Sequence, residues 1–169
     1  MTSLALDALS GAVRGLGRAL GADRCWLYAR DPATASGVAL VRWLRDDRVR
    51  DVPGDLTAWS PEPADLARRD PLFARALEGA PADVVDDTGR ADVDPAMERA
   101  LGHRAFVHLN LHRDGALWGV LQPGMTEAPR HWTSDECAEL LALRPALAAL
   151  VAAALDGGTG RPPSRREAG

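Results

Sequence analysis

LGHRAFVHLNLHRDGALWGVLQ, residues 101–122, reads as a helix end, an alternating strand, a tight turn and a second strand. Ala105, Val107, Leu109 and Leu111 are apolar, and the interleaved Phe106, His108, Asn110 and His112 form a mixed polar and aromatic set. Side chains alternate across a strand, so the two sets face opposite sides of one sheet. The first set needs an apolar cover. The second can meet solvent or a ligand. His112-Arg113-Asp114-Gly115 turns the chain back, Asp-Gly being the dipeptide that favours a hairpin.

Upstream, Leu4, Leu6, Leu9, Val13, Leu16 and Leu20 recur at three- and four-residue intervals, which predicts an amphipathic helix over 3–20 ended by Gly21. Residues 24–30 then alternate, with Cys25, Leu27 and Ala29 opposite Arg24, Trp26 and Tyr28. The turn-forming segment 31–37 leads to a second strand over 38–45, and the two make a hairpin. The middle is irregular: prolines precede helical patterns over 64–69 and 72–78, a short strand fits 82–85, and a brief helix fits 95–101.

Downstream, residues 123–132 read as a loop, and Thr133 or Ser134 caps a long helix with a kink or break expected at Pro145. Residues 157–169 are too rich in Gly, Pro and charge to fold alone, so a disordered tail is expected after a single domain over 1–156. The whole is an α+β architecture: a central antiparallel sheet with the N- and C-terminal helices packed on one face and the irregular helical segment covering a pocket on the other.

A chain of 169 residues is long enough to bury a core without metals or disulfides. Its net charge of −4 argues against a nucleic-acid surface, which normally shows a basic stripe. All its basic side chains are arginine, a composition typical of a GC-rich genome. Cys25 and Cys137 stand far apart without metal-ligand spacing and read as reduced thiols. The N-terminus lacks the basic start of a signal peptide, and the apolar run over 146–155 is too short for a bilayer. A soluble cytoplasmic protein with no membrane or nucleic-acid partner is expected.

Four segments together carry a family resemblance: GADRCWLYARDP, DPAMERALGHRAF, DGALWGVL and APRHWTSDECAELLALRPALAALVAAAL. Their order and spacing resemble GAF domains, over about residues 4–155. The variant resembles the GAF domains of phytochromes and related bilin photosensors, which share a DR-x-x-x-Tyr first strand, a GxLWGL hairpin and an R-x-W loop. The resemblance implies a GAF/PAS-like fold and a sensory or regulatory role, with a pocket between sheet and middle segment and outer helices that dimerise. The photosensors attach their pigment through a Cys-His pair; Val93 and Asp94 stand near those positions here, and residues 56–136 hold no cysteine. Covalent bilin attachment is therefore not expected, and no cofactor is assigned.

The resemblance places Tyr28, Met97, Phe106, His108, Asn110 and Gln122 on the pocket wall. Phe106 and His108 are bulkier than the residues they replace, which implies a smaller cavity or none. The expected role is a stand-alone sensory domain that binds an unidentified small molecule non-covalently and signals through terminal-helix packing. Its partners would be a second copy or a signalling protein. The alternative is a ligand-free dimerisation module, since LLALRPALAALVAAAL presents more apolar surface than one sheet can cover.

An enzyme like the free methionine sulfoxide reductases, also single GAF domains, would need nucleophilic and resolving cysteines on pocket loops. Cys25 on a strand and Cys137 at a helix start do not supply them, so no enzymatic activity is expected. His108 and His112 are roughly 13 Å apart along a strand, too far to share a metal. The acidic run Asp86-Asp87 and Asp92-x-Asp94 fits a solvated loop with Asx turns, or else a site for a basic group.

Overall fold

The computed structural model describes residues 4–157 and 161–169. Leu6, Leu9 and Val13 fall on one face of helix α1 (Leu4–Ala19) and are almost fully buried. Ser3, where the sequence pattern starts the helix, lies outside the described residues. Strands β1 (Arg24–Asp31) and β2 (Ser36–Leu44) form the first hairpin. Leu27 opposes Val41 and Tyr28 opposes Ala39, which leaves Leu40 as the extra residue of a bulge. The bulge changes the phase of β2, so Val38, Leu40, Val41 and Trp43 all reach the core beneath the helices.

A 3-10 turn (Gly54–Thr57), the two-residue strand β3 (Ser60–Pro61) and helices α2 (Leu66–Arg69) and α3 (Pro71–Leu77) make up the irregular middle. Strand β4 (Ala82–Val85) and helix α4 (Pro95–Leu101) follow. Both α3 and α4 begin with proline, and Asp70 and Asp94 cap them by accepting backbone N–H bonds. Strands β5 (Ala105–Arg113) and β6 (Ala116–Met125) are joined through Asp114 and Gly115, both at positive φ, as an Asp-Gly hairpin requires.

The strand order is β3-β2-β1-β6-β5-β4, antiparallel throughout. Helix α5 (Ser134–Asp156) lies beside α1 on one face of the sheet. Leu140, Leu147 and Val151 pack there on Val107, Leu109 and Leu111, the uniformly apolar set of β5. Thr133 and Glu136 close a reciprocal capping box at its start. At 23 residues and high hydropathy, α5 matches a membrane span in length, beyond the shorter run picked out in the sequence.

Three sequence expectations are corrected. Strand β6 continues through Pro123 and Gly124, which pair with Cys25 and Arg24, where the Pro-Gly pair reads as a loop. A Cβ on Gly124 would lie 3.2 Å from the Ala105 oxygen, so this glycine serves close backbone approach. Helix α5 runs unbroken through Pro145, so of the expected kink or break the break does not occur. Leu141, whose carbonyl Pro145 leaves without an amide donor, sits on the exposed side, where water can take it.

The third correction is the tail. Strand β7 (Arg165–Glu167) pairs in parallel with Val41–Trp43 on the outer edge of β2. Trp59 Nε1 donates to the Pro162 carbonyl at 3.0 Å, and Arg165 reaches Asp7 at 2.9 Å and Ser10 at 3.1 Å. A segment too polar for a core of its own is ordered here by an open sheet edge and by charged partners. Residues 158–160 of that tail lie outside the described residues.

The motifs behind the resemblance hold this frame together. Asp23, 1% exposed, pairs with Arg45 and accepts from the Thr126 N–H at 2.8 Å. Arg24 is fully buried and donates to the carbonyls of Arg50 and Leu101 at 2.8 and 2.6 Å. Arg130 bonds the Leu20 carbonyl and Glu136 and lies over the Trp132 ring, tying the end of α1 to the start of α5. Trp43 packs against the backbone of Gly17, where a Cβ would lie 2.2 Å from the indole.

Candidate functional site

The sheet face opposite α1 and α5 carries a cavity of about 450 Å³. Its floor is set by strand register. Trp26 opposes Gln122, and the β5–β6 pairing (Leu109 with Leu121, Phe106 with Gly124) puts His108 on the other side of Gln122. The three side chains form a row across β1, β6 and β5, and Tyr28 and Val120 begin the next row. The cover comes from the middle segment: Leu56 of the 3-10 turn, Leu66, Asp70 and Phe73 of the α2–α3 region, and Met97 and Leu101 of α4.

Of the six residues placed on the pocket wall by sequence, Tyr28, Met97, His108 and Gln122 line this cavity. Phe106 and Asn110 do not. Phe106 is fully buried among Leu72, Val85, Ala91 and Val93, because Leu72 of α3 packs against it and Val85 stands beside it on the paired strand β4. The Asn110 amide donates to the Ala80 carbonyl at 2.8 Å and accepts from His108 Nδ1 at 2.7 Å, so its polar groups are used inside the protein. The bulk of Phe106 therefore does not shrink the cavity; it fills a separate cluster.

The Asn110 contacts also fix the state of His108. With the amide nitrogen donating to Ala80, the amide oxygen is the acceptor, so His108 Nδ1 carries the proton and Nε2 holds the lone pair. Burial lowers the His108 pKa to about 4, so the ring is neutral at neutral pH. Gln122 is 6% exposed, and its Oε1 has no hydrogen-bond partner among the described residues.

The remaining polar wall groups are mostly committed. Glu62 takes Arg30 through two bonds, at 2.8 and 3.1 Å, and accepts from the Tyr28 hydroxyl at 3.2 Å. Burial and that carboxylate push the Tyr28 phenol up. Asp70 caps α3 at the cavity wall, and burial raises its pKa. Trp26 Nε1 donates to His103 Nε2 at 3.4 Å, and His103 Nδ1 bonds Glu98 at 3.0 Å. Burial, with Asp70 adding to it, pushes Glu98 up to about 8. Burial also holds His103 well below its ordinary value.

The acidic run stands apart from the cavity. Asp87 makes an Asx turn to the Gly89 N–H, Asp86 receives Trp132 N–H and pairs with His131, and Asp92 meets Arg75. Cys25 is buried on the helix side of β1, and burial drives its thiol far up. Cys137 is also free, with its pKa raised by burial and by Glu136.

Trp26 and Phe73 were not picked out as wall residues in the sequence. Trp26 could have been, since it lies two positions from Tyr28 on the same strand face. Phe73 carries no such signal, because its place depends on how two short helices fold over the sheet.

The GAF domain family model matches residues 5–155. Among solved structures, the chain is similar to the red-absorbing state of NpR6012g4, a red/green cyanobacteriochrome. The TM-score is 0.70 at 19% identity, covering 89% of this chain and 96% of that one. It is similar to the GAF domain of a phosphoenolpyruvate-protein phosphotransferase from Coxiella burnetii, with TM-score 0.68 at 20% identity, covering 92% and 87%. The blue-light absorbing form of the Thermosynechococcus elongatus PixJ GAF domain gives TM-score 0.63 at 20% identity, covering 89% of each chain. No curated protein matches. With the family model spanning nearly the whole chain and the sheet order and helix placement in agreement, the protein belongs to the GAF domain family, a family of sensory and regulatory domains.

Proposed function

We propose that this GAF domain is a non-covalent small-molecule receptor that reports occupancy through α5. The observation that carries the reading is a cavity of about 450 Å³ whose polar floor is hydrogen-bonded toward α5. Ligand sites commonly measure about 300–1,000 Å³. From the cavity, His108 bonds Asn110; the Asn110 carbonyl accepts from Arg144 Nε of α5 at 2.7 Å, and Arg144 Nη2 bonds His112 Nδ1 at 3.0 Å. His112 Nε2 meets the Ala76 carbonyl of α3 at 2.7 Å, so the same network touches the cavity cover. A ligand that shifts His108 has a bonded route to the helix on the far side of the sheet.

A thermal-shift screen with nucleotides, tetrapyrroles and amino acids tests binding, because a ligand held only by the folded state raises the melting point. The expected result is a shift from one class; no shift from any counts against the reading. With a binder in hand, hydrogen exchange of α5 should change on binding in the wild type. It should stay unchanged in Arg144→Leu, which keeps the cavity and cuts the link.

A second reading has its own observation. Leu141 and Leu143 of α5 are each 38% exposed, and Leu4 of α1 is 86% exposed. We propose that these helix faces pair with a second copy or a signalling partner, as an output surface for the same receptor. Light scattering that finds a monomer at all concentrations, with Leu141→Arg unchanged from wild type, would remove the homodimer. We assign no enzymatic activity, because neither buried Cys25 nor Cys137 with its raised pKa supplies a reactive thiolate.

A further inference from the structure

The cavity has a chemical bias that narrows what it can hold, an inference that rests on its being a ligand site. Its two uncommitted floor groups are neighbours on adjacent strands: the His108 lone pair at Nε2, fixed by the Asn110 bond, and the Gln122 amide, whose oxygen is unpartnered among the described residues. Directly opposed residues of an antiparallel pair have Cβ atoms about 5 Å apart, a spacing that one planar group can bridge. His108 is 4% exposed and Gln122 6% exposed. A buried acceptor left without a donor is costly, and an N–H brought to the cavity floor would remove that cost for the Gln122 oxygen.

The charges point the same way. Asp55, Glu62 and Asp70 line the cavity against one arginine, Arg69, whose guanidinium is held by Asp65 at 3.0 Å. Glu62 is neutralised by Arg30; Asp55 and Asp70 are not. Burial is the main reason the Asp70 and Glu98 carboxyls are raised, and a neighbouring carboxylate adds to each, Asp94 for Asp70 and Asp70 for Glu98. Trp26, Tyr28 and Phe73 supply aromatic walls. An anion would meet a lone pair, an amide and two carboxylates without a free cation to receive it.

We infer that the cavity takes a planar organic cation with two N–H donors on one edge, an amidinium-like group on an aromatic body, docked on His108 Nε2 and Gln122 Oε1. Cation–π contact with the aromatic walls and the field of Asp55 and Asp70 add to those two bonds.

Four probes of one ring size separate the contributions: benzamidine, benzamide, benzoate and toluene, titrated while amide chemical shifts are followed. Benzamidine is expected to bind best, with benzamide weaker and benzoate at least about tenfold weaker than benzamidine, the loss expected when a donor fork becomes an acceptor fork. Gln122→Leu should weaken benzamidine about tenfold, as expected of one lost charge-assisted bond, while toluene binds at least as well on the more apolar floor. His108→Leu should act likewise. Retained toluene binding shows that each variant keeps its cavity. Benzoate binding as tightly as benzamidine overturns the inference, as does benzamidine binding unaltered in both variants. Toluene binding without benzamidine binding overturns the donor class and leaves the receptor reading standing. Binding of none of the four overturns the inference, and the receptor reading then stands or falls on the thermal-shift screen.

Discussion

The two faces of the sheet share the same strands and are covered in opposite ways. On one, two long helices of 16 and 23 residues lay continuous apolar stripes on an aliphatic surface, and the result is closed packing. On the other, helices of four and seven residues, a 3-10 turn and loops tile the surface in pieces. A short helix cannot bury a long stripe and depends on caps such as Asp70 and Asp94 to hold its ends. The pieces leave three small apolar clusters with a cavity among them. Regular cover gives stability; irregular cover leaves room for chemistry.

The largest expected effect tests that contrast directly. Leu109→Ala, under the long helices, should lower the unfolding free energy by about 2–5 kcal/mol, the usual cost of a new cavity in a closed core. Met97→Ala, whose side chain already borders empty space, should cost only about 1 kcal/mol in the same urea titration. Equal costs would break the comparison.

The next effect is pH dependence, which should belong to the cavity face. His108, depressed to about 4, and His103, held well below its ordinary 6.5, stabilise the fold above the unfolded value, and this is lost as pH falls below 6.5. Glu98, raised from 4.5 to about 8, acts in the other sense: its contribution is full below 4.5 and drains away as pH rises through 8. With two histidines against one carboxyl, stability should peak near the unfolded histidine value, about pH 6.5. Glu98→Gln should flatten the alkaline limb of a urea-midpoint profile between about pH 5 and 8.5 and steepen the acid limb, where the carboxyl otherwise opposes the two histidines. An unchanged alkaline limb would locate the titration elsewhere.

Smaller effects sharpen the picture. Thr133→Ala removes the capping box of α5 and should cost about 1 kcal/mol on the helix face alone. Trp59→Phe removes the bond to the Pro162 carbonyl and should speed hydrogen exchange in residues 165–167, at a stability cost of about 0.5–1 kcal/mol. Unchanged exchange there would mean that strand pairing with β2 suffices to hold the segment.

The sequence was most readable where periodicity acts over many residues. The alternation of 105–111 placed Val107, Leu109 and Leu111 under α5, and the spacing of leucines in 4–20 placed α1. Phe106 and Asn110 show where that reading ends. Alternation tells which face a side chain points to and says nothing of what stands over it; there, Leu72 of α3 packs on one and the Ala80 carbonyl satisfies the other. Strand β7 was hidden for a related reason: its bonds come from the edge of β2, and composition alone does not reveal a docking edge. The cavity row Trp26–Gln122–His108 depends on register between three strands, which only pairing geometry supplies.

The seat of Trp43 on Gly17 fixes how this domain could be diversified. Helix α1 carries glycine at 11, 15 and 17, all poor helix formers by intrinsic propensity. A methyl group at Gly11 or Gly15 meets nothing within 4 Å, whereas one at Gly17 would collide with the indole. In a saturation library sorted for folded protein, alanine at 11 and 15 should be enriched over the parent, while position 17 should return to glycine unless residue 43 shrinks at the same time. Three identical letters in one helix would then carry opposite evolutionary freedom, and only the pair 17–43 would covary.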